Sequence, residues 1–157
     1  MTTMRIQMEL ARILIRELNS AQLIELREVN PRPGHPARAF PIVIGLSEAI
    51  AIDRRLDGDE QITIGRPMTH DLLANTIEEL GASLDSIAIT KVVDGTFYAL
   101  LNLTDNHGRA IEVDARPSDA IALGIAGDVP IFVDESVIAL ATFPTMDDSD
   151  SMDNLDT

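Results

Sequence analysis

The segment Ser47-Glu48-Ala49-Ile50-Ala51-Ile52 returns 71 positions later (118 − 47) as Ser118-Asp119-Ala120-Ile121-Ala122-Leu123. An apolar run typical of a strand precedes each copy, Phe40–Gly45 in the first half and Ile111–Ala115 in the second. A repeat at this distance predicts two copies of one supersecondary unit folded together, because a solenoid needs three or more copies.

Residues upstream of the repeat also align between the halves, at an offset of 74 positions (84 − 10). The aligned pairs are Leu10 with Leu84, Ile13 with Ile87, Ile15 with Ile89 and Leu26 with Leu100. The offset falls to 71 because the first half contains a longer, proline-rich loop, Asn30–Pro36. Three strands followed by helix in each half predict an α+β fold with a mostly antiparallel sheet. We expect one domain over residues 1–145, with repeat halves at 5–81 and 82–144.

The first half is predicted to open with a strand hairpin over Ile6–Leu18 and Ala21–Val29, although the pattern also allows a helix over Met8–Leu18. After the third strand, Ser47 is a favourable N-cap, and the helix that it starts is expected to end near Asp57-Gly58.

A second helix is predicted from a cap at Thr69 to Gly81. Its expected core-facing residues are Leu72, Leu73, Thr76, Ile77 and Leu80. The second half is predicted as strands over Leu84–Val93, Thr96–Leu103, Ala110–Ala115 and Val129–Val133, with helices over Ser118–Ala126 and Glu135–Ala141. Asp94-Gly95 is a hairpin signal between the first two of these strands.

The chain is strongly acidic, with a net charge of −14. Residues 146–157 hold five aspartates and no base, and are predicted to be a disordered tail; without them 21 acids (26 − 5) face 12 bases. This excess of acids argues against a broad surface that binds the phosphates of duplex nucleic acid. The low aromatic content, 3%, argues against a surface on which the bases of a single strand stack. Without cysteines, a signal peptide or a run long enough to span a membrane, we expect a cytoplasmic, non-membrane protein.

The second copy carries charge at its junction of strand and helix where the first copy does not. Glu112 and Asp114 share one face of the strand, and Asp119 starts the helix that follows. These carboxylates could hold Mg²⁺ through oxygen ligands or divide acid and base roles, and Arg116 could bind a phosphate. The alternative is ordinary: Asp114 lies on a solvated sheet face, Ser118 caps the helix, and Asp119 offsets the helix dipole.

Two further acidic residues, Asp71 and Glu48, stand at the starts of predicted helices. His70 could act as a general base or a metal ligand with Asp71 orienting it, or Asp71 could be only a first-turn acid beside a Thr69 cap. Glu48 mirrors Asp119 across the repeat, so the two could face one cleft if the halves are related by a pseudo-two-fold axis. Other charged or titratable residues are expected at the surface without a role, namely Arg54, Arg55, His35 and His107.

Several separated motifs resemble the bifunctional nuclease (BFN) domain family. They are Ala115–Leu123, Val129–Val133 with Glu135, Arg66–Leu73, Pro41–Glu48 and Gly95–Ala99, and the resemblance covers about Arg5 to Pro144. It implies a duplicated unit of three strands and two helices whose sheet curls into a half-barrel with the helices packed on it. It also implies a homo-oligomer, with a dimer favoured, and a hydrolase that cleaves DNA and RNA.

The resemblance places seven polar residues inside matching motifs. It suggests Asp114, Asp119, His70 and Glu48 as catalytic, and Arg116, Ser118 and Asp71 as substrate-binding, with a divalent cation such as Mg²⁺, if present, on Asp114 and Asp119. The acidic tail and the loop Asn30–Pro36 depart from the family pattern. The alternative function is a non-catalytic, oligomeric binding or regulatory module for a small anion or a protein partner.

Overall fold

The computed structural model describes residues 4–16, 18, 21–56 and 65–142. Its strands are β1 (Arg5–Leu14), β2 (Ala21–Glu28), β3 (Ala39–Gly45), β4 (Ser83–Val93), β5 (Thr96–Thr104), β6 (Ala110–Ala115) and β7 (Ile131–Asp134). Its α-helices are α1 (Leu46–Leu56), α2 (Thr69–Glu79), α3 (Pro117–Gly124) and α4 (Glu135–Ala141), and a 3₁₀ turn, Ile125–Gly127, follows α3.

The strands form a single sheet in the order β3-β2-β1-β7-β4-β5-β6. Neighbouring strands are antiparallel except β4 and β7, where Ile87 pairs with Ile131 in parallel. The late strand β7 thus lies between the first three strands and the next three. The edge strands β3 and β6 do not pair with each other, so the sheet is open. These features confirm the predicted α+β fold and mostly antiparallel sheet; the duplication and the half-barrel stay predictions.

The core joins residues from both halves of the chain. Phe40 on β3 stacks on Phe97 on β5, with ring centroids 5.7 Å apart. These strands are five steps apart in the sheet order, which would separate them by about 24 Å in a flat sheet with 4.8 Å between strands. The sheet must therefore bend, because only a bend brings the two rings into contact.

Helix α3 is the most deeply buried helix that the structure describes, with seven of its eight residues buried. It begins with Pro117 at its first position, which suits a residue that has a fixed φ and no N–H to leave unpaired. Small residues let its backbone come close to the sheet: a β-carbon on Gly124 would lie 2.8 Å from the Ile87 Cδ1 atom. Helix α1 packs against α3.

Several predicted boundaries were wrong by a few residues at helix starts. Helix α1 begins at Leu46 and α3 at Pro117, so neither Ser47 nor Ser118 is an N-cap. The cap of α2 is Met68, and not Thr69. Strand β1 ends at Leu14, which excludes the alternative of a helix there. The predicted end of α1 near Asp57-Gly58 and the predicted disorder of residues 146–157 lie outside the described residues.

The predicted core-facing stripe of α2 is confirmed only for Ile77, which is partly buried against the core. The exposed fractions of Leu72, Leu73 and Leu80 are 58%, 42% and 72%, and Thr76 is exposed as well. Helix α2 instead buries Asp71, because that carboxylate finds arginine partners beneath it. The turn at Asp94-Gly95 is confirmed, since both residues have the positive φ that a two-residue hairpin requires. Among the described residues, no helix is both long and apolar enough to cross a membrane.

We expect Gly124→Ala to destabilise the protein. The added methyl would press on the Ile87 side chain and would also lie 3.1 Å from Val129 Cβ. Overpacking of this kind costs about 1–3 kcal/mol, and each kcal/mol lowers Tm by roughly 2–4 °C at this chain length. Gly127→Ala is the matched control, since its new methyl would meet only Val129 Cγ2 at 3.9 Å. Equal thermal unfolding curves for both variants would contradict the packing described.

Candidate functional site

Arg116 joins the first turns of two helices. It stands just before α3, and its Nε donates to Asp119 Oδ2 at 2.8 Å while its Nη2 donates to Asp119 Oδ1 at 3.2 Å. Its Nη1 donates to Glu48 Oε1 in the first turn of α1 at 3.2 Å. The two acidic helix starts that the repeat relates thus meet at one guanidinium.

His70 brings a third helix to the same place. It lies in the first turn of α2, and its Nε2 is 3.1 Å from Asp119 Oδ1. We call the series Glu48–Arg116–Asp119–His70 the ionic chain. The exposed side-chain fraction is 62% for Arg116 but only 18% for His70, so the arginine faces solvent and the imidazole is largely covered.

The ionic chain fixes the protonation of Asp119. Partial burial acts to raise the pKa of this carboxyl, but hydrogen bonds from Arg116 and His70 outweigh burial and hold the pKa below its usual value. The same hydrogen bond to Asp119, followed by that to Glu48, raises the pKa of Arg116. An ionised Asp119 is only an acceptor, so His70 Nε2 carries the proton and its Nδ1 is left as a base when the ring is neutral.

Gly45 makes room for the Glu48 carboxylate. A β-carbon on residue 45 would overlap that carboxylate, so a glycine is needed at the end of β3 for Glu48 to lie as it does. A cavity of about 310 Å³ opens beside it. Its wall includes Glu48, Arg116 and Ser118 on the helix side and the tip of the β4–β5 hairpin, with Phe97, on the other.

The predicted metal ligands do not come together. Asp114 is exposed on β6, where it pairs through its backbone with Leu100, and makes no side-chain hydrogen bond or ion pair with the residues that the structure describes. Within residues 4–16, 18, 21–56 and 65–142, no three His, Asp or Glu side chains are grouped to hold a metal ion. The Arg116 guanidinium already lies between the Glu48 and Asp119 carboxylates, so this donor set does not fit Mg²⁺.

Comparison with known proteins identifies the family. The model of the bifunctional nuclease domain matches residues 30–146, which is more than half of the chain. This protein belongs to the bifunctional nuclease domain family. The predicted resemblance is confirmed.

Individual relatives agree with this assignment. An uncharacterized protein of Mycobacterium tuberculosis is 40% identical over 138 residues, which cover 88% of this chain and 77% of the relative. Bifunctional nuclease 1 of Oryza sativa subsp. japonica is 28% identical over 100 residues, or 62% of this chain and 29% of the relative. Bifunctional nuclease 2 of the same rice is 32% identical over 78 residues, 48% of this chain and 24% of the relative. The chain thus matches less than a third of each rice protein.

In this BFN domain, Asp71 belongs to a second, buried cluster. Its carboxylate pairs with Arg54 and Arg55, accepts from the Met68 N–H at 2.8 Å, and has a side chain only 2% exposed. Burial acts to raise the pKa of Asp71, but the hydrogen bonds from Arg54, Met68 and Arg55 lower it below its usual value. Its partners hold it away from solvent, which gives it a structural position and not one suited to touch a substrate.

Arg55 is the residue that the sequence interpretation missed. It was expected at the surface, but its side chain is 4% exposed and its Nε and Nη2 donate to the carbonyl oxygens of Ala122 and Leu123 at 2.5 and 3.1 Å. A signal existed: Arg55 follows the buried residues Ala49 and Ile52 at intervals of three, the spacing of one helix face.

Removal of the Arg55 guanidinium is expected to cost much of the stability of the domain. Arg55→Met leaves Asp71 buried with one arginine fewer and two α3 carbonyls without their donor, and the loss of a partner in a buried pair costs about 3–5 kcal/mol. Arg109→Ala is the control, because it breaks an exposed pair with Asp105 that solvent screens and that contributes little to stability. Urea unfolding measures both, and a loss in Arg55→Met as small as in the control would contradict this account.

Proposed function

We propose that this protein is a nuclease that hydrolyses phosphodiester bonds of DNA or RNA at the ionic chain. The observation that carries the proposal is that His70 and Arg116 share the Asp119 carboxylate, beside a cavity that Glu48 and Arg116 line. An imidazole held by a carboxylate next to a solvent-facing guanidinium is a suitable combination for acid–base chemistry on a phosphate ester. Membership of the bifunctional nuclease domain family supports the same conclusion.

Arg116 is the proposed phosphate ligand. A guanidinium has five N–H donors, and three of its nitrogen-to-oxygen contacts are made to Asp119 and Glu48, which leaves two donors (5 − 3) for a substrate. The side chain is 62% exposed, so a phosphate can reach it without displacing either carboxylate. As negative charge grows on the non-bridging oxygens during attack, a donor fixed in this position stabilises the transition state.

His70 is the proposed general base. Asp119 accepts from Nε2, so Nδ1 can take a proton from the attacking water while the water oxygen bonds to phosphorus. The bond from phosphorus to the leaving oxygen then breaks, and the imidazolium returns the proton to that oxygen. Asp119 stabilises the positive ring by its charge, since its lowered pKa keeps it ionised. No step is assigned to a metal ion, because the donor set does not fit one.

Substitutions in the ionic chain test this proposal. His70→Gln is expected to lower kcat about 10²–10⁴-fold because it removes the base, and Arg116→Ala about 10²–10³-fold because it removes a transition-state donor. Glu112→Gln, an exposed carboxylate on β6, is the charge control and should retain wild-type turnover. The assay uses single- and double-stranded DNA and RNA, with and without Mg²⁺. No cleavage by the wild type, or full activity in both variants, would refute the proposal.

Substitution of Gly45, at the end of β3, tests the proposal without replacing any charged residue. Gly45→Ala should displace the flexible Glu48 carboxylate and leave Arg116 with Asp119 alone. We expect kcat to fall about as much as in Glu48→Gln, with Tm within a few degrees of the wild type. Wild-type kcat in Gly45→Ala together with a reduced kcat in Glu48→Gln would show that the carboxylate need not lie where the structure has it.

One observation favours the non-catalytic alternative: Glu48, Arg116, Asp119 and His70 already hydrogen-bond to one another. In that reading Arg116 ties α1 to α3 and binds a small anion without turnover. Because Arg116 is mostly exposed, its ion pairs should add little to stability, typically below about 1 kcal/mol. The nuclease proposal therefore expects Arg116→Ala to change Tm little. A Tm that is lower by many degrees, together with no nuclease activity in the wild type, would favour the binding module.

We also propose that the protein is a homo-oligomer, with a dimer favoured, that self-associates through α2. Large apolar side chains are exposed along and beside this helix, at Met68, Leu72, Leu73 and Leu80. Several large apolar side chains exposed on one helix of a folded domain are typical of a protein contact surface. Sedimentation equilibrium should show a dimer, and Leu73→Glu should shift it to monomer without loss of secondary structure. A wild type that is monomeric at all concentrations would contradict this.

A further inference from the structure

The proline-rich loop between β2 and β3 forms a second charged cavity. Its volume is about 340 Å³, within the range of small-molecule sites, and the ionizable residues in its wall are Glu28, Arg32, His35, Arg38 and Glu135. None of these residues belongs to the ionic chain. Neither the nuclease proposal nor the family match assigns this cavity a role.

The loop is held in one shape by its ends and by an internal turn. Glu28 N donates to Arg38 O at 2.9 Å, and Arg38 N donates to Glu28 Oε2 at 2.8 Å. Between these ends, His35 N donates to Arg32 O at 2.9 Å, and Gly34 has a φ of +80°. Proline and glycine at the centre of this turn are typical of type II, which brings its first and fourth residues, Arg32 and His35, close together.

The floor of the cavity is already paired. Arg38 donates through Nε and Nη2 to Glu28 Oε1 at 3.0 and 2.7 Å, and through Nη2 to Glu135 Oε2 at 3.1 Å. Glu28 is only 8% exposed, so its charge needs this partner. The hydrogen bond from Arg38 lowers the pKa of both Glu28 and Glu135, which keeps both ionised.

Arg32 and His35 supply the side-chain N–H donors of the cavity wall that the Arg38 cluster does not use. Both line the cavity, and neither makes a side-chain hydrogen bond or an ion pair with any residue in the described part of the chain. Two carboxylates and two guanidiniums balance (−2 + 2 = 0) across Glu28, Glu135, Arg38 and Arg32. The charge of Arg32 contributes to the lowered pKa of Glu28 and of Glu135, but its N–H groups are not used in hydrogen bonds to them. The wall of the cavity therefore offers N–H donors from Arg32 and His35 and has no excess of negative charge.

From this arrangement we propose that the cavity binds a single phosphate group, held by Arg32 and His35. A tetrahedral oxyanion can accept from a guanidinium fork on one side and an imidazole N–H on the other, whereas a planar carboxylate would be saturated by the fork alone. The cavity has room for a small substituent on the phosphate. The source is either a free small phosphate or the terminal phosphate of a nucleotide chain.

The test follows the His35 imidazole resonances of the full chain by NMR while inorganic phosphate, and separately a 5′-phosphorylated dinucleotide, is added. Each arm should give a saturable shift at His35, and Arg32→Ala should weaken the binding about tenfold or more, the effect of one charged hydrogen bond. Arg109→Ala removes the same charge from another exposed turn and should change the affinity less than twofold. Both variants are at exposed sites, and a circular dichroism spectrum checks their folding.

The two arms distinguish the sources. Tighter binding of the dinucleotide indicates a nucleotide terminus as the ligand, and equal binding indicates a free small phosphate. No saturable shift at His35 with either compound, or equal weakening in Arg32→Ala and Arg109→Ala, would overturn the proposal. The titrations are made in the His70→Gln background, in which the proposed nuclease cannot cleave the dinucleotide. The result is then independent of nuclease activity, because Arg32→Ala leaves every other member of the ionic chain in place.

Discussion

Arg55 is the side chain on which the arrangement of the site depends. It projects from α1, pairs with Asp71 on α2, and donates to the last carbonyl groups of α3. One buried guanidinium therefore sets the relative positions of three helices. The same three helices supply the ionic chain from their first turns, with Glu48 on α1, His70 beside Asp71 on α2, and Asp119 on α3. A shift of any one helix would separate groups that now lie within 3.2 Å of their partners.

The buried Arg55–Asp71 pair and the partly exposed ionic chain have different roles. The Arg55–Asp71 pair is buried, so its loss would lower the stability of the fold strongly, and the pair holds the helices in fixed positions. The ionic chain is partly exposed, so its pairs contribute little to stability, and Arg116 keeps N–H donors that are not used by the carboxylates. This division explains how an acidic protein could bind an anion: one solvent-facing arginine is held by carboxylates that orient it, and no broad basic surface is required.

The sequence predicted the fold class because strand and helix periodicity is local information. It also placed Glu48 and Asp119 at one cleft on the condition that a pseudo-two-fold axis relates the halves, and the Arg116 bridge between the two carboxylates agrees with that arrangement. Which face of α2 is buried could not be predicted from the local sequence. Its leucines follow a helical spacing, but which face is buried depends on Arg55, a residue on another helix. Apolar residues usually mark the core, and a buried ion pair is an exception to that rule, so the burial of Asp71 and Arg55 was not predicted.

The central claim is that Asp119, ionised and held by Arg116, fixes the His70 ring in one tautomer at the helix junction. Long-range proton–nitrogen NMR of the His70 imidazole tests it most directly. At a pH where the ring is neutral, the account predicts a proton on Nε2 and a bare Nδ1, and a mixture of tautomers once Asp119 is replaced by alanine. A proton found on Nδ1, or a wild-type mixture that the replacement leaves unchanged, would contradict it.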